Sequence, residues 1–130
     1  MKNKQWLITA IVLCGLAVML GAFGAHGLKR LVSPIQIETF KTGVQYQFYH
    51  ALAIALTVLI SQFIDNQHLI RVMRLFFVGI LCFSGSLYAF TAFEAVGTIG
   101  LSGLGLLTPL GGLFFLIGWF RLAWIVYKTA

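Results

Sequence analysis

Long apolar runs dominate the pattern of hydrophobic and polar positions along the chain. No charged residue occurs in the four stretches 5–28, 42–64, 75–93 and 95–120. A transmembrane helix needs about 20 predominantly apolar residues, so each stretch is long enough to cross a bilayer. Residues 51–60 are apolar except for Thr57, whereas a membrane β-strand alternates in polarity. The pattern therefore predicts helices and not a β-barrel.

The predicted fold is an all-α membrane protein, a four-transmembrane-helix bundle that forms one integral membrane domain over residues 1–130. We expect the first helix to be retained, because its apolar run is long for a cleaved signal. The last run is split, since glycines punctuate residues 96–103 and indicate a loop. The helices are expected at about 6–25, 43–64, 75–93 and 104–126.

The connection between the first two helices carries its own pattern. Ser33 and Pro34 form a favourable helix start, and Ile35, Ile37 and Phe40 then alternate with polar residues. This predicts a short interfacial segment over 29–41, with its apolar side in lipid. An ordinary loop that rests on the bilayer fits the same residues equally well.

Composition excludes two broad classes of protein. Charged residues make up 9% of the chain and the mean hydropathy is +0.97, whereas soluble domains carry about 25% charge. A soluble globular domain and a disordered chain are both excluded, because disorder needs low hydrophobicity. The net charge of +6 does not indicate nucleic acid as a partner, because the basic residues form no single stripe.

The basic residues instead indicate orientation. With four helices, one side of the membrane holds six of them, and the other side holds Lys29, Arg30 and Lys41. The positive-inside rule therefore predicts that both termini are cytoplasmic. Cys14 and Cys82 lie inside apolar runs without metal-type spacing, so we expect no metal and no cofactor. The basic residues of the cytoplasmic side are Lys2, Lys4, Arg71, Arg74, Arg121 and Lys128.

Small residues and one proline predict where helices approach one another. Ala17, Gly21 and Ala25 are spaced by four residues, which is a stripe that allows close helix contact in membranes. Pro109 lacks an N–H group and is expected to kink the fourth helix. The predicted packing and kink residues are Ala17, Gly21, Gly24, Ala25, Gly85, Pro109, Gly111 and Gly112.

Polar side chains from all four helices are expected in the outer half of the bundle. His50 is the most informative of them, since it lies about 7–12 Å inside the predicted start of its helix and ionisable residues at depth need a partner. It could be a structural histidine or a site residue. Glu94 is expected at the outer interface, either solvated or directed toward His26 or Lys29. The candidate polar cluster is His26, Gln45, Tyr46, Gln47, His50, Ser84, Ser86, Tyr88, Glu94 and Thr108.

These motifs, taken in order, resemble one family of small bacterial membrane proteins, those that carry domain of unknown function 423. That family is in turn similar to the animal transmembrane protein 256. The resemblance implies four helices in the bacterial cytoplasmic (inner) membrane with a retained first helix, and it implies no particular activity. The motifs are GAFGAHGL at 21–28, TGVQYQ at 42–47, HALA at 50–53, FSGSLY at 83–88, TPLGG at 108–112 and IGW at 117–119.

Three functions remain open from the sequence. The leading interpretation is an auxiliary or structural membrane component that packs with the lipid bilayer, with itself as a homo-oligomer, or with a larger membrane complex. The alternative is a protein that binds or conducts a small molecule, lipid or proton through the polar cluster. A haem protein with His26 and His50 as axial ligands is the third. An enzyme is not expected, because no nucleophile–base spacing or phosphate loop occurs.

Overall fold

Four α-helices form the described part of the chain in the computed structural model, which covers residues 1–65, 67–98 and 103–129. Each helix is long and apolar enough to cross a membrane, and these residues contain no β-strand. The predicted all-α fold with four transmembrane helices is therefore confirmed. The helices are α1 Lys4–His26, α2 Pro34–Phe63, α3 His68–Ala95 and α4 Leu104–Thr129.

Helix α2 is longer than the sequence pattern predicts and begins at Pro34, not near residue 43. Ser33 caps it, because its side chain accepts a hydrogen bond from the backbone N–H of Gln36 at 3.3 Å. No helix breaker follows, so the helix runs unbroken through Gly43 into the membrane. The expected interfacial segment 29–41 is therefore not a separate element: a single 3-10 turn at Leu28–Arg30 precedes α2.

Helix α3 also begins early, at His68 and not near residue 75. The prediction of a start near residue 75 comes from the charge pattern, because Arg74 is the last charged residue before the apolar run. Long arginine side chains can extend from a helix end toward water, so Arg71 and Arg74 do not terminate the helix. Part of the predicted loop 96–103, namely residues 99–102, lies outside the described residues.

Consecutive helices pack against each other, so the chain runs up and down through the bundle. The apolar core lies toward the end that holds the termini. Its largest fully buried side chains are Phe76, Ile54, Leu69, Met73, Val58 and Val72. The polar side chains lie mainly nearer the opposite end, among residues 33–50, 84–94 and 108.

Small residues of α1 pack against α2. Ala17 and Gly24 are buried, and a Cβ atom added at Gly24 would lie 2.8 Å from the ring of Phe40. At Gly21 the nearest atom to such a Cβ would be a methyl of Val44 at 3.5 Å, an ordinary contact. At Gly21 the small-residue stripe of α1 thus faces α2 of the same chain.

Three glycine–phenylalanine pairs join α3 and α4. Their residue numbers rise on one helix as they fall on the other, as antiparallel helices require. In each pair an added Cβ atom would overlap an atom of the partner phenylalanine, so the absence of a side chain is what allows the helices to approach. The pairs are Gly118 with Phe76, Gly79 with Phe115, and Gly111 with Phe83.

Candidate functional site

Gln47 joins three helices through its side-chain amide. Its nitrogen donates to the backbone carbonyl of Leu13 in α1 at 2.8 Å, and its oxygen accepts from the hydroxyl of Tyr88 in α3 at 2.8 Å. Only 3% of Gln47 is exposed. Both ends of the amide are therefore engaged within the protein.

Hydroxyl side chains of α3 make further links between helices. Ser84 donates to the carbonyl of Gly43 in α2 at 2.6 Å. Ser86 and Thr108 share a hydrogen bond of 2.6 Å between α3 and α4, and Ser86 also contacts the carbonyl of Phe83 at 2.8 Å. Each of these hydroxyl groups therefore has a hydrogen-bond partner within the protein.

Glu94 binds the start of α2. Its carboxylate accepts a hydrogen bond from the backbone N–H of Ser33 at 2.6 Å, so it is directed neither toward His26 nor toward Lys29, the two alternatives to solvation that the sequence allows. A carboxylate at a helix N-terminus is stabilised by unpaired N–H groups and the helix dipole. One turn earlier on α3, Thr91 accepts from the Gln36 side chain at 2.8 Å. Both contacts fix the first turns of α2, those before its predicted start, to α3.

His50 lies near the middle of its helix. The helical rise of about 1.5 Å per residue puts it about 24 Å from Pro34 and about 20 Å from Phe63. The predicted depth of about 7–12 Å from the helix start is therefore wrong, because α2 begins much earlier. His50 is 4% exposed, and its ring stacks on Phe115 with centroids 3.4 Å apart and planes 8° from parallel.

Two hydrogen bonds define the protonation of His50. Its Nε2 accepts from the indole N–H of Trp119 at 3.2 Å, and an indole can only donate. Its Nδ1 lies 2.8 Å from the carbonyl oxygen of Tyr46, which can only accept. The ring is therefore neutral with its proton on Nδ1, and both nitrogens are engaged.

An aromatic groove opens beside His50 between α2 and α4. Its volume is about 630 Å³, within the usual range for small-molecule sites. Tyr46 stacks on Phe83 with centroids 4.6 Å apart, which fixes one wall. The residues that line the aromatic groove are Tyr46, Tyr49, His50, Phe83, Pro109, Gly112, Leu113, Phe115, Leu116 and Trp119.

The structure divides the predicted polar cluster into separate groups. Tyr46 and His50 line the aromatic groove, whereas Gln45 bonds Tyr49 on its own helix at 2.6 Å. His26 is exposed at the end of α1. The other members link helices in pairs or threes: Gln47, Ser84, Ser86, Tyr88, Glu94 and Thr108.

The predicted packing residues differ in whether they contact a neighbouring helix. Gly111 is buried against Phe83, whereas added Cβ atoms at Gly85 and Gly112 would have no neighbour within 4 Å. Pro109 lies inside α4, which continues through it, and it lines the aromatic groove beside Gly112. Ala25 is half-buried near the end of α1.

Sequence reasoning missed Phe115 and Trp119 as site residues. Trp119 lies about 22 Å into α4, where its indole N–H donates to the His50 ring. The spacing of four residues puts Phe115 and Trp119 on one helix face. That spacing, together with a buried histidine that needs a donor, is the signal that could have identified the pair.

The histidines do not form a haem-binding pair. His26 ends α1, and Gly24, two residues before it, packs against Phe40 of α2. His50 lies ten residues after Phe40, which is about 15 Å further along α2. The two histidines are therefore at different levels of the bundle. His50 also has both nitrogens engaged. Within the described residues, no three or more His, Cys, Asp or Glu side chains are grouped as metal ligands would be.

Replacing Trp119 by phenylalanine should lower the free energy of unfolding by about 0.6 kcal/mol, and by at most about 1.7 kcal/mol, the range of hydrogen bonds between membrane helices. The change keeps a ring in the groove but leaves Nε2 of His50 without a donor. Trp124→Phe is the matched control, because that indole is exposed on the same helix. Unfolding in mixed micelles measures both variants, and equal losses would contradict the role of this bond.

One protein family matches most of the chain. The matched residues include most of those that form hydrogen bonds between helices. The family described as "Protein of unknown function (DUF423)" matches residues 20–112, a range that leaves out Leu13 and Trp119, the partners of Gln47 and His50. No solved structure matches the chain significantly. The relation to the animal transmembrane protein 256 stays a prediction.

Curated relatives match nearly the whole chain. A UPF0382 membrane protein of Haemophilus influenzae is 42% identical, over 99% of this chain and 98% of its own length. The UPF0382 membrane protein YwdK of Bacillus subtilis is 38% identical over 89% of this chain and 90% of its own. The corresponding protein SAB0533 of Staphylococcus aureus is 36% identical over 98% of each chain. This chain therefore belongs to the DUF423 family, and it is similar over nearly its whole length to these bacterial membrane proteins.

Proposed function

We propose that the protein is a non-catalytic, auxiliary component of the bacterial cytoplasmic membrane that binds one lipid-soluble small molecule in the aromatic groove. The observation that carries this proposal is the contrast between the open groove and the hydrogen-bonded side chains that link the helices. The groove is open to the side and has a volume of about 630 Å³. The polar side chains that link helices, such as Gln47 with Tyr88 and Ser86 with Thr108, are engaged with partners within the protein.

The lining of the groove defines the chemistry of its ligand. Rings of Tyr46, His50 and Trp119 form apolar walls, and the small Gly112 leaves space between them. Among the described residues the Tyr46 hydroxyl has no hydrogen-bond partner, so it is free to donate to a ligand oxygen. A molecule with a flat or chain-like apolar body and one oxygen acceptor satisfies both features.

Conduction of protons or polar solutes has less support than binding. Every buried side-chain nitrogen or oxygen among the described residues has a hydrogen-bond partner. A conducting path needs groups that can exchange partners, whereas the Gln47 amide and the His50 ring are each bonded on both sides. These bonds favour a structural role for the polar cluster.

Association through the small-residue stripe also has less support. Within the stripe, Ala17 is buried and Gly21 lies against Val44 of α2, so part of the stripe is not free for a second copy or a larger complex. The auxiliary role is accordingly assigned to the groove and not to this packing surface. Whether the protein acts through the groove or through the packing surface, the lipid bilayer surrounds it as a partner.

The charge distribution supports an orientation with both termini in the cytoplasm. The helix order brings the termini and the connection 63–68 to one end, which carries six basic residues. The other end carries Lys29, Arg30 and Lys41. An excess of basic residues is typical of the cytoplasmic side.

Filling the groove tests the proposed function. Gly112→Phe places a ring where an added Cβ atom meets nothing within 4 Å, so the variant should fold but should retain on the order of tenfold less ligand. The measurement is solvent extraction of protein purified in mild detergent from native membranes, followed by mass spectrometry of small molecules per mole of protein.

The control is Gly15→Phe, which adds the same ring at an open position on α1, away from the groove. We expect this variant to retain the same molecule as the unchanged protein. Equal retention by both variants, or no retained molecule in the unchanged protein, would contradict binding in the groove.

A further inference from the structure

Three arginines from two helices line a second cleft, at the end of the bundle that holds the termini. Arg71 and Arg74 come from the start of α3, and Arg121 comes from the second half of α4. The cleft has a volume of about 410 Å³. Its remaining lining is apolar and consists of Leu75, Val78 and Phe114.

Within the described residues, no acidic side chain neutralises these arginines. The chain has only three acidic residues, and each is engaged elsewhere. Arg71 and Arg74 are three residues apart on one helix, so their like charges face one another at a cost. The acidic residues and their partners are Asp65 with Lys2 at 3.0 Å, Glu38 with Lys41 at 2.7 Å, and Glu94 with the N–H of Ser33 at 2.6 Å.

The depth of the arginines fits the level of lipid headgroups. Arg74 lies about 9 Å from the start of α3, and Arg121 lies about 12 Å from the end of α4. Side chains of this length extend along apolar surface and place their charge at the membrane interface. Arginine binds phosphate through paired N–H donors, so it is well suited to a phosphate at this level.

We propose that the cleft binds an anionic phospholipid, with its phosphate between the three arginines and its acyl chains along Leu75, Val78 and Phe114. The occupant is a lipid and not free phosphate, because half of the lining is apolar and the cleft opens between two membrane-spanning helices. Basic pockets of this kind, between transmembrane helices on the cytoplasmic side, bind anionic headgroups. This site is separate from the aromatic groove and does not depend on the function proposed there.

Native mass spectrometry of the full-length protein tests the proposal. The protein in mild detergent is mixed with phosphatidylglycerol, with phosphatidylcholine of the same acyl chains, or with inorganic phosphate. We expect one retained phosphatidylglycerol, little phosphatidylcholine, and no displacement of the lipid by millimolar phosphate. The variant Arg74→Gln/Arg121→Gln should bind phosphatidylglycerol on the order of thirtyfold more weakly, at about fivefold for each arginine near the surface.

Lys128→Gln is the charge-matched control, because Lys128 lies at the same end of α4 but packs over the Trp124 ring, outside the cleft. It should bind phosphatidylglycerol within about twofold of the unchanged protein. Arg71→Gln, close to the helix start, supplies a second variant if the double variant fails to fold, with an expected loss of about fivefold. Equal retention of both lipids, displacement by phosphate alone, or equal binding by Arg71→Gln and Lys128→Gln would overturn the proposal.

Discussion

Replacing Gly111 by alanine should lower the free energy of unfolding by about 3 kcal/mol, the upper part of the usual range for overpacking. An added Cβ atom would lie 2.7 Å from the Cβ of Phe83 and 2.8 Å from its Cα. These atoms belong to the α3 backbone or adjoin it, so they cannot rotate away as the end of a side chain would. The methyl group therefore forces α3 and α4 apart along the seam of glycine–phenylalanine pairs.

The control for this prediction is the neighbouring glycine. Gly112→Ala adds the same methyl group where nothing lies within 4 Å, so it should be neutral or should stabilise the helix by up to about 1 kcal/mol. Unfolding in mixed micelles, followed by circular dichroism, compares the two variants. Equal losses at both positions would contradict the close approach of α3 and α4 at Gly111.

This difference between adjacent glycines also shows what the sequence could not supply. The motif TPLGG indicates close packing near residues 111–112, but the same composition argument applies to both glycines. Only the rotation of α4 about its axis decides that Gly111 faces Phe83 and Gly112 faces the aromatic groove. That rotation depends on contacts between helices that are far apart in sequence.

The four membrane spans were predictable, because hydropathy over about 20 residues depends only on local composition. The depth of His50 was not, since it depends on where α2 begins. Charged residues near 38 and 41 indicated an interface, yet the Ser33 cap and the contact with Glu94 extend the helix by several turns.

The sequence indicates which polar side chains share one half of the bundle, but it does not indicate which of them bond to each other. The sequence indicated that several polar motifs lie at one depth in the outer half, and it left open whether they enclose a cavity. In a membrane each buried polar group needs a partner within the protein, and the nearest partner is usually on an adjacent helix. Gln47 with Tyr88 and Ser86 with Thr108 satisfy that need pairwise, and the open groove is formed by aromatic residues instead.

Gln47→Leu should lower the free energy of unfolding by about 1–3 kcal/mol, the cost of leaving a buried polar group without its partner. Leucine has a similar size but cannot accept from the Tyr88 hydroxyl or donate to the Leu13 carbonyl. The carbonyl of Leu13 keeps its bond within α1, so most of the cost arises at Tyr88. Gln45→Leu is the matched control, since Gln45 bonds only within α2, and its effect should stay within about 0.5 kcal/mol.

A double-mutant cycle with Tyr88→Phe assigns the loss at Gln47 to this hydrogen bond. Removing the hydroxyl alone leaves the Gln47 oxygen without its donor, whereas removing both groups leaves neither unpaired at that contact. The double variant should therefore lose less than the sum of the single variants, by about 0.6–1.7 kcal/mol. Additive losses would mean that Gln47 stabilises the bundle through its packing and its bond to Leu13, and not through Tyr88. In that case the bond from Tyr88 to Gln47 would not connect α3 to α2 in the folded protein.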